Sequence, residues 1–214
     1  MRRQRTGIQQ RRLLGPALLL AGLVFLLLAL LGALPSPWSG ARSHAPGVLV
    51  PDAPHQELVK DATPIRHGDF VLTPRAEFRF EARVILSSIY RFDTGAALAP
   101  VDLALGWQRM SDSAVLDHFR VSQGGRWWRW RVDTFPIPER EIIASAANMH
   151  MIPADRSIER TLRGIRRGDL VEIEGLLVDA RRESDGWTWR TSLSRTDSGD
   201  GACELVYVES IVIH

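Results

Sequence analysis

Cys203 is the only cysteine of the chain. A thiol does chemistry when a neighbouring base takes its proton or a positive field holds it as thiolate. The residues that would serve it stand in "NMHMIPAD", with His150 as the base and Asn148 as the group that orients the imidazole. Cys203, His150 and Asn148 would form a thiol site of amidase or acyltransferase type. They lie far apart in sequence, so the fold must bring them together. Beside this enzymatic reading stands a plainer one, in which Cys203 opens a strand in "GACELVYV" as a small buried hydrophobe.

The second group with chemical potential is "RWWRWR", residues 126 to 131. Interleaved arginine and tryptophan bind single-stranded nucleic acid or glycans by stacking. Strand alternation divides the run: Trp127, Arg129 and Arg131 share one face, and Trp128, Trp130 and Val132 share the other. The first face is the candidate ligand surface, joined by Trp107 in "VDLALGW". The second is expected to fill the core of a barrel.

Other polar clusters carry less. The turn "DSGDG" at 197 to 201 has acids three apart, which departs from the alternate carboxylates of a calcium loop, and its glycines suit a turn with positive φ. His44, His55 and His67 have no paired spacing. No metal or cofactor is expected, since paired-cysteine zinc spacing, HExxH, a glycine-rich phosphate loop and a GxSxG elbow are all missing from the sequence.

These side chains need strands to position them. "FRFEARVILSSIY" alternates Phe78, Phe80, Ala82, Val84 and Leu86 on one face. Strands are also expected in "VDLALGW", "GGRWWRWRV", "GDLVEIEGLLVDAR", "WTWRTSLSR" and "CELVYVESIVI". Gly175, in mid-strand, marks a bulge or bend. Pro138 followed by "EREIIASAANM" predicts a helix ending by Pro153, and Asp155 caps a second one at 155 to 166. The fold class is mainly β with one or two helices, a small OB-like β-barrel behind an N-terminal transmembrane helix. An open α+β sheet is the alternative.

The chain divides into a basic tail at 1–12, a membrane-spanning helix at 13–34, an extended linker at 35–73 and a β-rich extracytoplasmic domain at 74–214. Residues 13–34 run 22 positions without a charge, which at about 1.5 Å per residue is long enough for a bilayer core of about 30 Å. The run exceeds the usual apolar region of a cleaved signal peptide, so it reads as a retained anchor. Arg2, Arg3, Arg5, Arg11 and Arg12 precede it, which directs the N-terminus to the cytoplasm and the remainder across the inner (cytoplasmic) membrane. Those five arginines exceed the formal net charge of +2, so residues 13 to 214 carry −3. A net-negative domain lacks the field on which nucleic-acid affinity usually rests. One cysteine forms no intramolecular disulfide, and stability must come from packing.

The segments "LALGWQRMSD", "VSQGGRWWRWR", "NMHMIPAD", "RRGDLVEIEGLLV" and "TSLSRTDSGDGACELVYV" together resemble an uncharacterised family of bacterial membrane-anchored proteins. The resemblance spans about residues 78 to 212 and implies one domain type, with no activity to carry over. The sequence therefore leads to a single-pass membrane protein whose outer domain binds a partner protein or envelope ligand without catalysis. The alternatives are the Cys203/His150 enzyme and, more weakly, single-stranded nucleic-acid binding through Trp127, Arg129 and Arg131.

Overall fold

The structure, a computed structural model, describes residues 41–197, 199 and 201–214. The basic tail and the apolar run at 13–34 lie outside the described residues. Among those described, no helix is long and apolar enough to cross a membrane.

The domain is mainly β. Among the described residues ten strands run in chain order: β1 His55–Leu58, β2 Ile65–His67, β3 Phe70–Ile89, β4 Val101–Gly106, β5 Arg120–Gly124, β6 Trp127–Arg131, β7 Ala146–Pro153, β8 Leu170–Arg182, β9 Thr188–Trp189 and β10 Glu204–Ile213. Three short α-helices interrupt them, α1 Ser113–Leu116, α2 Glu139–Ala144 and α3 Arg156–Gly164. Five strands pair in a closed circuit. β3 pairs β4, β4 pairs β7, β10 pairs β8 and β8 pairs β3, all antiparallel, while β7 and β10 run parallel. An open sheet is therefore excluded.

Alternation decides what the circuit encloses. Phe78, Phe80, Ala82 and Val84 of β3 point inward with Leu103 and Leu105 of β4, Met149 and Met151 of β7, Ile173 of β8, and Val206 and Val208 of β10. Leu86 was expected on the same face. A register shift between Val84 and Leu86 ends the alternation there, so Leu86 joins a second apolar cluster outside the circuit. A one-residue slip sends every later side chain to the opposite face.

Gly175 sits opposite Phe78 on one neighbour and Val208 on the other, beside the bulge between Val208 and Ser210. A Cβ at Gly175 would collide with the Tyr207 carbonyl and the Glu209 backbone nitrogen of β10, and backbone does not move aside as a side chain does. Gly175→Ala is expected to lower stability by about 1–3 kcal/mol, read as a reduced urea midpoint with an unchanged slope.

Three expectations are corrected. First, the segment after residue 40 is not a free linker: the compact unit spans Gly40–His214. β1 and β2 both pair with β3, Arg42 Nε lies 2.9 Å from Asp169 Oδ1, and Val50 enters the barrel interior. Val50 and Leu49 both donate their N–H groups to Ser111 Oγ at 3.0 Å. Prolines fixed this stretch as extended, which suits an edge strand as well as a spacer.

Second, the helix begun at Pro138 stops at Ala144, and "AANMHMIP" is strand β7. Its Ala and Met are poor strand formers. Pairing with β4 on one side and β10 on the other overrides that preference. Third, "GGRWWRWRV" belongs to a separate two-stranded hairpin, β5–β6. Trp128, Trp130 and Val132 are half-buried against Ile85, Leu86, Met110 and Phe119 outside the circuit, so they do not fill the barrel. The capped helix at 155 to 166 forms as α3. Asp155 accepts from the Ser157 and Ile158 N–H groups at 2.6 and 2.9 Å.

Candidate functional site

The β5–β6 hairpin turns through Gly125 and Arg126, with φ of +59° and +71°. A two-residue turn with both φ positive matches the twist of an antiparallel pair, but a side chain at the second position is unfavourable. Arg126 is held there by its contacts. Its N–H donates to Tyr90 Oη at 3.2 Å, and its guanidinium lies over the Tyr90 ring at 3.9 Å. Nη1 donates at 2.7 Å to Asp102 Oδ1 and to the Ala99 carbonyl, while Nε and Nη2 reach the two oxygens of Asp93. The tip of the hairpin is thereby fastened to β4 and to the loop before it. Asp102 has no exposed surface, so this arginine is its principal countercharge.

The same fastening gathers the residues of the expected thiol site, in a different arrangement. Asn148 lies under the turn. It accepts from Gln123 Nε2 at 2.6 Å, and its own Nδ2 donates to the Arg126 carbonyl at 3.2 Å and to Cys203 Sγ at 3.7 Å. His150 follows two residues later, with Nδ1 2.9 Å from Asp102 Oδ1 though not aligned for a hydrogen bond, and its ring 4.4 Å from the Trp189 ring. In the β7–β10 register His150 stands opposite Leu205. Among the described residues, Asn148 is the only side chain that hydrogen-bonds the thiol. The fold therefore joins Asn148 to Cys203 and gives His150 to Asp102.

Cys203 precedes β10 and is mostly covered. Burial pushes its thiol up to about 11, against the opposing Asn148 bond, and the carboxylates of Glu204, Asp102 and Asp197 add to the rise. That is the reverse of an activated nucleophile. Alkylation of native Cys203 at pH 8 is expected to run at least about 100-fold slower than in the unfolded chain, because far less thiolate is present. Timed iodoacetamide labelling followed by mass spectrometry measures it.

Beside Cys203 lies a cavity of about 190 Å³. Trp127, Trp128, Ile143 and Ala147 contribute apolar surface from the hairpin, α2 and β7, and Arg195, Asp197 and Glu204 contribute polar groups from the loop into β10. Glu204 is in phase with Val206 and Val208, so it points inward, and it is 1% exposed. It pairs with Arg195, whose guanidinium lies 5.2 Å from the centre of the Phe78 ring. Burial pushes Glu204 up to about 7 despite Arg195, and burial lowers Arg195 despite Glu204 and Asp197. For both partners desolvation outweighs attraction, as is common for an enclosed ion pair.

Trp107 was expected among the ligand contacts. It is fully buried, with its indole N–H donating to the Ala144 carbonyl at 3.1 Å, and it is a core residue. Trp127, Arg129 and Arg131 do share the exposed face of β6. The loop at 197 to 201 has positive φ at Gly199 and Gly201 (+87° and +84°), as a turn requires. Among the described residues no three His, Cys, Asp or Glu side chains converge as a metal site.

The sequence assigns no partner to Arg126, Asp102, Arg195 or Glu204. A signal existed for two of them. Asp102 and Glu204 are acids in strands whose neighbours are apolar on both sides, and such an acid must be covered and paired. Compared with protein-family models, curated proteins and solved structures, the chain matches none.

Proposed function

We propose that this is a single-pass protein of the cytoplasmic membrane, N-terminus inside, whose outer domain is an OB-like barrel that binds an envelope ligand or partner without catalysis. The strand circuit, with one parallel pair and α3 between the third and fourth barrel strands, supports the OB-like reading. The long uncharged run after five arginines supports the anchor. The observation that carries the binding reading is the cavity beside Cys203, apolar on the side of the hairpin and polar on the side of Arg195, Asp197 and Glu204. A thiol pushed up to about 11 and hydrogen-bonded by an amide argues against the enzyme alternative.

The test uses the full chain in its membrane, with a photo-crosslinking amino acid in place of Trp127 or, as a control, of Val212. An adduct at 127 and none at 212, retained when Cys203→Ala and His150→Ala are added, is the expected result. Equal labelling at both positions, or loss of the adduct in both added variants with folding intact, overturns the proposal. The exposed row of Trp127, Arg129 and Arg131 supports a second reading, contact with a polyanion. It requires binding of a single-stranded oligonucleotide that weakens steeply with salt.

A further inference from the structure

We infer that the cavity beside Cys203 takes one uncharged sugar ring, the terminal or protruding residue of a glycan. The inference rests on the reading that this cavity is the binding site and names its ligand class. Three observations carry it.

The first is size. A cavity of about 190 Å³ is below the roughly 300–1,000 Å³ of sites for drug-sized ligands, so it admits a single ring rather than an extended molecule.

The second is the unused hydrogen-bonding capacity of its buried pair. Glu204 Oε2 and Arg195 Nε and Nη1 are buried without a hydrogen-bond partner, in two residues that line the cavity, and a side-chain rotation is what would turn them toward a bound ring. A buried polar atom left unpaired is costly, and such atoms mark places where something else supplies the bond. An acceptor and a donor from one ion pair match adjacent hydroxyl groups, each of which donates and accepts. Charge narrows the class further. An anion would meet the carboxylates of Glu204 and Asp197, and a cation would meet the Arg195 guanidinium, whereas a neutral polyol opposes neither.

The third is the opposite wall. Trp127 and Trp128 line the cavity and belong to no ring–ring pair among the described residues, whereas Trp130 is engaged with Phe119 and Phe135. An indole presents an apolar body of large area, which suits the C–H face of a pyranose while its hydroxyl edge faces Arg195 and Glu204. The alternating faces of a sugar and the two-sided lining of the cavity are complementary in this sense. Asp197 already accepts from Ser192 Oγ at 2.6 Å, so the loop that bears Arg195 is fixed from within.

The experiment is saturation-transfer NMR on the full-length chain in detergent micelles. The probes are the methyl glycosides of glucose, galactose, mannose and N-acetylglucosamine, with tetramethylammonium and benzoate as charged probes of comparable size. Transfer to at least one glycoside, strongest at its ring C–H protons, is expected. Its apparent affinity should fall about tenfold or more in Glu204→Gln and also in Trp127→Ala, an exposed position whose truncation leaves the core intact. Near-ultraviolet circular dichroism reports whether each variant is folded. Transfer to a charged probe with none to any glycoside, abolished in Trp127→Ala, overturns the sugar class and leaves the cavity as the binding site. Glycoside binding indifferent to both variants overturns the location. Transfer to no probe of any class overturns both the inference and the reading beneath it.

Discussion

Arg126→Ala is expected to destabilise the domain by about 3 kcal/mol or more, as breaking a buried ion pair does when one charge is left behind. The arginine side chain is 15% exposed and Asp102 is wholly enclosed. Truncation strands the carboxylate, and it also releases the hairpin from Asp93, Tyr90 and the Ala99 carbonyl. Equilibrium urea unfolding followed by tryptophan fluorescence measures the loss, since Trp189 lies within 5.6 Å of the guanidinium and Trp127 follows it in sequence. Two further variants separate backbone from side chain. Arg126→Gly removes the same contacts but tolerates a φ of +71°, so it should be less harmful than Arg126→Ala. The pair Arg126→Met with Asp102→Asn should be less damaging than the sum of its singles, because neither charge is then left alone. Strict additivity would show that the two groups do not act as a pair.

This fastening explains which parts of the protein were legible in the sequence. Alternating apolar residues announced β3, β8 and β10, where one face is enclosed along much of the strand and the pattern has period two, while β4 is a short apolar run buried on both faces. Asp155 announced α3 through a capping preference that acts locally. By contrast, β7 is made of residues whose own preference points elsewhere, and only its two neighbours make it a strand. The hairpin reads as an ordinary strand pair, and nothing local says that it packs outside the barrel. That outcome depends on Arg126 reaching Asp102, a contact between chain-distant residues. The linker was misread for a related reason. Its prolines set an extended backbone, and extended backbone joins an edge strand as readily as it stays free.

The candidate site was legible in composition and not in pairing. Asn148 and His150 lie on β7 and Cys203 just before the neighbouring β10, yet the alternation of β7 puts Asn148 and His150 two residues apart on one face. The thiol therefore meets the amide while the imidazole meets Asp102. Residue types suggested a catalytic set, and register distributed its members to two different partners. Glu204 was hidden by its own neighbour. Beside a reactive-looking cysteine, its phase with Val206 and Val208, which sends it inward, is easily missed.

That acid is expected to contribute a loss of stability as pH rises from about 4.5 to about 7. Glu204 is displaced upward from 4.5 to about 7, chiefly by burial. Between those values the folded state holds a proton that the unfolded state has released, so raising the pH favours unfolding. The contribution is present in full below about 4.5, is lost progressively, and is gone above about 7. At about 1.4 kcal/mol per pH unit the whole displacement corresponds to something on the order of 3 kcal/mol. Other groups titrate in part of this window, and His67, lowered by burial from 6.5, acts in the opposite direction. The informative quantity is therefore the difference between the wild-type protein and Glu204→Gln, measured by urea unfolding at half-unit steps from pH 4.5 to 8. Glutamine keeps the shape and cannot ionise. The variant should lose stability relative to wild type at pH 5 and recover relative to it by pH 8, because only the wild type must hold an enclosed charge there. Parallel curves would mean that Arg195 compensates Glu204 fully, and the acid would then be an ordinary partner in an ion pair.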